Sequence, residues 1–293
     1  ISTVRKGEGM SVSLTGQGVQ TQHFNAFGFG NLNYRLNKWD FFGGVSARHT
    51  HKESPVENSI GFTDGQTAIH VAQALDNINR GYSIGGNVGL SFSNNGVNDF
   101  GVKYDFDRAP SNRDKISGAG IYMENNQNVH SEDIELIQAS ENTRHILNAY
   151  YITSFGKNNH LNVNFDFLSG KNRSAYTSYW EQDRNVEAHD DGDYQLYAGK
   201  AQMDHNVWGG TLNFGTEFSY TDNKSAYYTD ENEGTNLTES DDKNQQMLWS
   251  LFASMEKSFG DFSLEGGLRF DLADYKYFHG GQLQEDVSRN YTK

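Results

Sequence analysis

Two histidines, His49 and His51, stand two residues apart, so in an extended segment both imidazoles leave the same side, where they can ligate a metal or meet an iron-bearing ligand. A harder site is offered by Asp190, Asp191 and Asp193 after His189, and by Asp230, Glu231, Glu233, Glu239, Asp241 and Asp242. These oxygens suit Ca²⁺ in external loops, although neither run has the ligand spacing of an EF-hand. Tyr176, Tyr179 and Trp180 gather aromatic rings that could stack on a sugar or an aromatic ligand. Glu217 and Asp271 are carboxylates of the kind acid–base chemistry uses, but inward polar residues are what a watered lumen needs anyway. No residue is assigned a catalytic role, the chain is read as a non-enzyme, and no resident cofactor is implied.

The elements that must carry these residues are strands. Five short polar turns, at Asn37-Lys38, 94–97, 156–159, 206–210 and 258–261, each join two segments in which apolar and polar residues alternate. Leu32, Tyr34 and Leu36 alternate with Asn31, Asn33 and Arg35, and Phe41, Val45 and Ala47 with Phe42, Ser46 and Arg48. Each run covers about 9 to 12 residues, the length a tilted strand needs to cross a bilayer. The opposite ends carry long polar segments, 52–80, 109–141, 183–193 and 223–244, expected as external loops. Within the first, Ile69, Ala72, Leu75 and Ile78 recur at helical spacing and predict a short helix. Trp39, Trp208 and Phe259, beside the turns, fit an interfacial girdle. The pattern is that of an all-β, antiparallel, up-and-down transmembrane β-barrel with long external loops.

Composition agrees. A mean hydropathy of -0.76 with a net charge of -14 would suit a disordered chain, but 19 Phe, 16 Tyr, 31 Gly and only 2 Pro indicate ordered strands. The basic residues are scattered, so no nucleic-acid partner is expected. With 0 Cys, disulfides, thiolate metal sites and a cysteine nucleophile are excluded. The glycine pairs Gly85-Gly86, Gly209-Gly210 and Gly266-Gly267 lack the strand–loop–helix context of a phosphate loop and read as bends or close packing within strands. No run of apolar residues is long enough for a membrane helix, a test to which a barrel is blind.

Ile1-Ser2-Thr3-Val4-Arg5-Lys6, followed by Gly9-Met10-Ser11-Val12-Ser13-Leu14, resembles the junction of plug and first barrel strand in TonB-dependent outer-membrane receptors, particularly the TonB-dependent receptor-like barrels of Bacteroidetes. Asn31 to Trp39, Gly215 to Asn223 and Gly267-Leu268-Arg269-Phe270-Asp271 add to the likeness. The resemblance implies a barrel of about 22 strands around an N-terminal plug, of which this chain supplies about eleven, ending near Tyr277. Residues 1–8 are then the end of a plug or linker, and 9–293 the first half of the barrel. The two edges of such a half are expected to pair with strands outside this sequence, since unpaired amides in lipid are costly.

The function so implied is that of a receptor or transporter in the outer membrane of a Gram-negative bacterium. External loops capture a substrate and the lumen passes it on. The partners are outer-membrane lipid and a TonB-type energy-coupling protein reached through the plug. The alternative is a structural barrel that docks partner proteins or surface lipoproteins without transport. An upstream plug and TonB box would distinguish the two.

Overall fold

The computed structural model describes residues 8–94, 97–156, 159–180, 184–229 and 238–292. Eleven long strands follow one another: β1 (Gly9–Gln20), β2 (Phe24–Leu36), β3 (Trp39–Asp64), β4 (Thr67–Ser93), β5 (Asn98–Glu124), β6 (Gln127–Phe155), β7 (Asn159–Trp180), β8 (Arg184–Val207), β9 (Gly210–Thr229), β10 (Ser240–Phe259) and β11 (Phe262–His279). Two short strands, β12 (Gln282–Leu283) and β13 (Arg289–Thr292), lie against β11. All belong to one antiparallel up-and-down sheet in which each long strand pairs with its sequence neighbours, and the described residues contain no helix. The outer edge of β1 has no partner strand among the described residues.

The short turns fall where expected, but the segments 52–80 and 109–141 are not loops. Residues 52–80 and 109–141 continue as strand almost throughout, closing in tight turns at Gly65 and at Asn125-Asn126. Asn125 and Asn126 both take positive φ, 50° and 66°, which matches the right-handed twist of a hairpin and which asparagine tolerates. Strands therefore reach 29 residues in β6, well beyond the length that crosses a bilayer. The helix predicted over Ile69, Ala72, Leu75 and Ile78 is part of β4. In the strand Ile69 and Leu75 face one way and Ala72 and Ile78 the other, because cross-strand pairing with β3 and β5 outweighs a four-residue helical coincidence.

The register separates two faces. Leu14, Gly30, Val45 and Gly86 form one cross-strand row, with Phe41 and Leu90 below it and Phe106 beside it, and the same face continues through Leu147, Phe167, Tyr197, Tyr220, Met247 and Leu268. This apolar face is uncovered: Leu14 is 83% and Leu268 85% exposed, and only Ala188 and Ala273 are buried among the described apolar residues. Near the short turns it carries an aromatic cluster, Trp39 lying 5.1 Å from Phe92 and 5.4 Å from Phe100 between ring centroids. Trp208 sits at the β8–β9 turn with φ 53° and 80% exposure.

The apolar band ends at Ala47 on β3, Tyr82 on β4, Phe106 on β5 and Tyr220 on β9, above which the same face turns to His49, Arg80, Arg108 and Asp222. Across the β3–β6 hairpins the polarity then inverts. Val56 faces Leu75, Ile60 faces Val71 and Phe62 faces Ile69 on the side that is polar lower down. Pro55 lies in the part of β3 beyond its pairing with β2, an edge where a missing N–H costs nothing.

Candidate functional site

The polar face at the level of the apolar band is the place where this sheet can meet water or a solute. Its positions alternate with the apolar ones, so the period of two that places Leu251 and Phe270 on one side places Ser250 and Asp271 on the other. Lys200 of β8, Glu217 of β9, Ser250 of β10 and Asp271 of β11 are consecutive cross-strand partners. Glu217 accepts from Lys200 Nζ at 2.9 Å and from Arg269 Nη2 at 3.1 Å. Arg269 also donates through Nε to Asp271 Oδ1 at 2.8 Å and through Nη2 to the fully buried Ser250 Oγ at 2.9 Å. The two carboxylates noted in the sequence are thus bridged by one guanidinium, an arrangement that fixes charge in place and suits a polar wall better than proton transfer.

Further pairs line the same face. Lys103 Nζ stands 2.8 Å from Asp105, Arg144 Nη2 2.6 Å from Asp107, and Asn148 donates to Asp166 at 2.6 Å. Aromatic rings lie between them. Phe42, Tyr150, Tyr194 and Phe252 each cover the glycine directly across the strand, namely Gly89, Gly101, Gly170 and Gly215. An open groove at the β1–β3 end, about 820 Å³, is lined by Gln17, Asn25, Phe27, Arg48 and Lys52, with the Arg48 guanidinium 5.4 Å from the Phe27 ring centre.

Above the band, Asp242 accepts from Tyr277 Oη at 2.6 Å and lies 2.8 Å from His279 Nδ1. The Tyr277 hydroxyl first, then His279, hold its carboxyl below the ordinary value. Tyr275 donates to Asn244 at 2.7 Å beside it.

The sequence candidates separate. His49 and His51 do share one face of β3, but among the described residues His51 alone is engaged: it stacks on His23 at 3.5 Å between ring centroids and accepts from Arg80 Nε at 2.9 Å. Partial desolvation first, then His23, Arg80 and His49, lower its pKa, while Glu53 opposes them. Glu53 itself lies 3.0 Å from His23 Nε2. Asp191 and Asp193 leave one face of β8 toward Arg173, at 3.4 and 3.2 Å, and Asp190 leaves the other, so the three do not converge. Tyr176 and Tyr179 are likewise on opposite faces of β7, Tyr176 accepting from Gln138 at 3.2 Å. Trp180 closes β7 and its side chain lies outside the described residues, as do Asp230, Glu231 and Glu233. Among the described residues no group of three His, Cys, Asp or Glu is arranged to hold a metal ion. Sequence reasoning missed Lys200, Arg269 and His23, whose partners lie on other strands; their alternation with apolar residues was the available signal.

No family model and no curated protein matches the chain. Among solved structures it is similar to the toluene transporter TodX of Pseudomonas putida, at 8% identity over 91% of this chain and 81% of that one, with a TM-score of 0.31. It is similar to the ferric citrate transporter FecA, at 7% identity over 94% of this chain with a TM-score of 0.31, and to the ferric yersiniabactin uptake receptor FyuA of Yersinia pestis, at 9% identity over 94% with a TM-score of 0.35. The chain spans 52% of each of these two receptors. At such scores the likeness carries no weight beyond itself.

Proposed function

We propose that the chain forms part of the wall of an outer-membrane β-barrel receptor or transporter, with the apolar face against lipid and the polar face toward an aqueous lumen. One observation carries this reading: a single-layer sheet leaves an apolar band uncovered on one face, rimmed by aromatic rings at the short-turn end, while charges populate the other face at the same level. In water such a face would be an aggregation surface; in a bilayer it is at rest. The barrel closes through strands that pair with β1 and extend the sheet beyond β11 on the side where β12 and β13 lie, and the paired charges of the lumen face guide a solute without covalent chemistry. Energised uptake through a TonB-type protein is the form of transport the sequence resemblance implies.

The chain has 0 Cys, so single cysteines report cleanly on each face. In the full protein reconstituted in liposomes, a bimane label at V88C is expected to be quenched by lipid-borne nitroxides and one at N87C by aqueous iodide. Equal aqueous quenching at both positions would overturn the membrane reading. A second reading, a barrel that docks surface proteins, is favoured by the tall β3–β4 hairpin, which raises Ile60 and Phe62, 63% and 53% exposed, above the band. Substrate uptake by a variant with both replaced by serine separates the two, because docking is lost and transport persists only under the first.

A further inference from the structure

Arg80 of β4 and Arg113 of β5 are direct cross-strand partners on the face that carries the apolar band, and both are exposed. Like charges set opposite one another on a sheet face are destabilising unless an anion lies between them. The chain has 38 acidic residues against 24 basic ones, yet among the described residues no carboxylate bonds to either guanidinium. Arg80 donates to His51 Nε2, and Arg113 has neither hydrogen bond nor ion pair among the described residues. Arg108, opposite Ile84 on the same face, is also exposed and unpaired among the described residues. Elsewhere on the upper strands cations do meet acids: Arg173 has Asp191 and Asp193, Lys115 has Glu135 at 2.8 Å, and His23 has Glu53. Arg80, Arg113 and Arg108 stand together on one face of two neighbouring strands, which concentrates their charge in one place.

That place is the upper margin of the apolar band, just beyond Tyr82. Guanidinium groups match phosphate geometry with paired N–H donors, and this height is where the headgroups of a bilayer would lie. Resting on the membrane reading above, we propose that Arg80 and Arg113, with Arg108 below them, bind the phosphate of a lipid headgroup in the leaflet on the hairpin side. His51 supports the site: its Nε2 accepts a hydrogen bond from Arg80 Nε–H, leaving the terminal nitrogens of that guanidinium to the phosphate.

The test uses the full protein, purified in a non-ionic detergent and titrated with phosphatidic acid and with diacylglycerol, lipid binding being read by native mass spectrometry. The parent is expected to bind phosphatidic acid in preference to diacylglycerol, R80Q/R113Q to bind it about tenfold more weakly, and R80K/R113K to recover part of the loss. R48Q, on the opposite face, serves as the control and is expected to bind as the parent does. Equal affinity in the parent and R80Q/R113Q, both folded by strand-type circular dichroism, overturns the site. Displacement of the lipid by equimolar inorganic phosphate overturns the lipid assignment in favour of a free-anion site. If the parent does not partition into liposomes at all, the membrane reading fails first; if it partitions and the arginine variants bind alike, only this inference fails.

Discussion

The ring of Tyr150 lies over Gly101, its direct cross-strand partner, so closely that a Cβ on Gly101 would stand 2.6 Å from Tyr150 Cε1. The glycine is there to let an aromatic ring lie down on the polar face, where an upright tyrosine would project into the lumen. Replacing Gly101 by alanine is expected to lift the ring and cost about 1–3 kcal/mol. Gly28, whose Cβ would meet nothing within 4 Å, should accept alanine without loss. Guanidinium unfolding of the two variants in lipid vesicles checks the contrast.

Val88 and Asn87 are neighbours that leave opposite faces of β4. An arginine at Val88 should destabilise the vesicle-inserted protein by about 2–4 kcal/mol, as a charge facing mid-bilayer does. Arginine at Asn87 should change stability little. A similar loss at both positions would mean that neither face meets lipid.

Glu217 receives both Lys200 and Arg269. Its replacement by glutamine leaves two cations with a neutral partner, and about 1 kcal/mol of stability should go with it, a modest value because all three side chains retain water. The same variant should shift the lumen toward anion preference, read as a change in reversal potential if the closed barrel conducts.

His51 titrates below its ordinary value, so the unfolded chain takes up its proton more readily than the native sheet does. Stability around β2 and β3 is then full above the ordinary imidazole range and falls as the pH drops below about 6.5. Hydrogen exchange at Asn25 and His51, whose backbone N–H bonds to Asn25 Oδ1 at 2.8 Å, should quicken over that window. Arg80→Gln removes one cause of the shift and should raise the His51 pKa by NMR titration.

Asp242 behaves in the same sense but at lower pH: its depressed pKa gives stability that is present above the unfolded value and lost as pH falls through the folded one. Tyr277→Phe removes the main cause. Exchange near residues 242 and 277 at pH 4 should differ less from that at pH 7 in the variant than in the parent.

The alternation in segments such as 39–48 and 212–220 made strand identity, turn positions and the apolar face legible in the sequence, because a period of two maps directly onto opposite sides of a sheet. The upper hairpins were not legible. Between Val56 and Leu75 the apolar residues change sides, and no single segment announces a strand whose apolar face has switched; only pairing across β3, β4 and β5 gives Ile60 and Val71 a common side. The paired charges were half visible. Glu217 and Asp271 could be placed on one face, but the Arg269 that joins them depends on register across β9, β10 and β11. Asp190 and Asp191 were grouped by adjacency, although adjacent strand residues point apart.

The neighbour-to-neighbour pairing of the sheet bears on how it is made. Most partners are joined by only a few residues, so the entropy of bringing two strands together is small and each hairpin can close before the next strand arrives. Assembly can then proceed in chain order, each finished strand serving as the template for the one after it. A fault at a single turn, such as a β-branched residue at Asn125, would stall the growing front at β6 and leave the earlier strands intact.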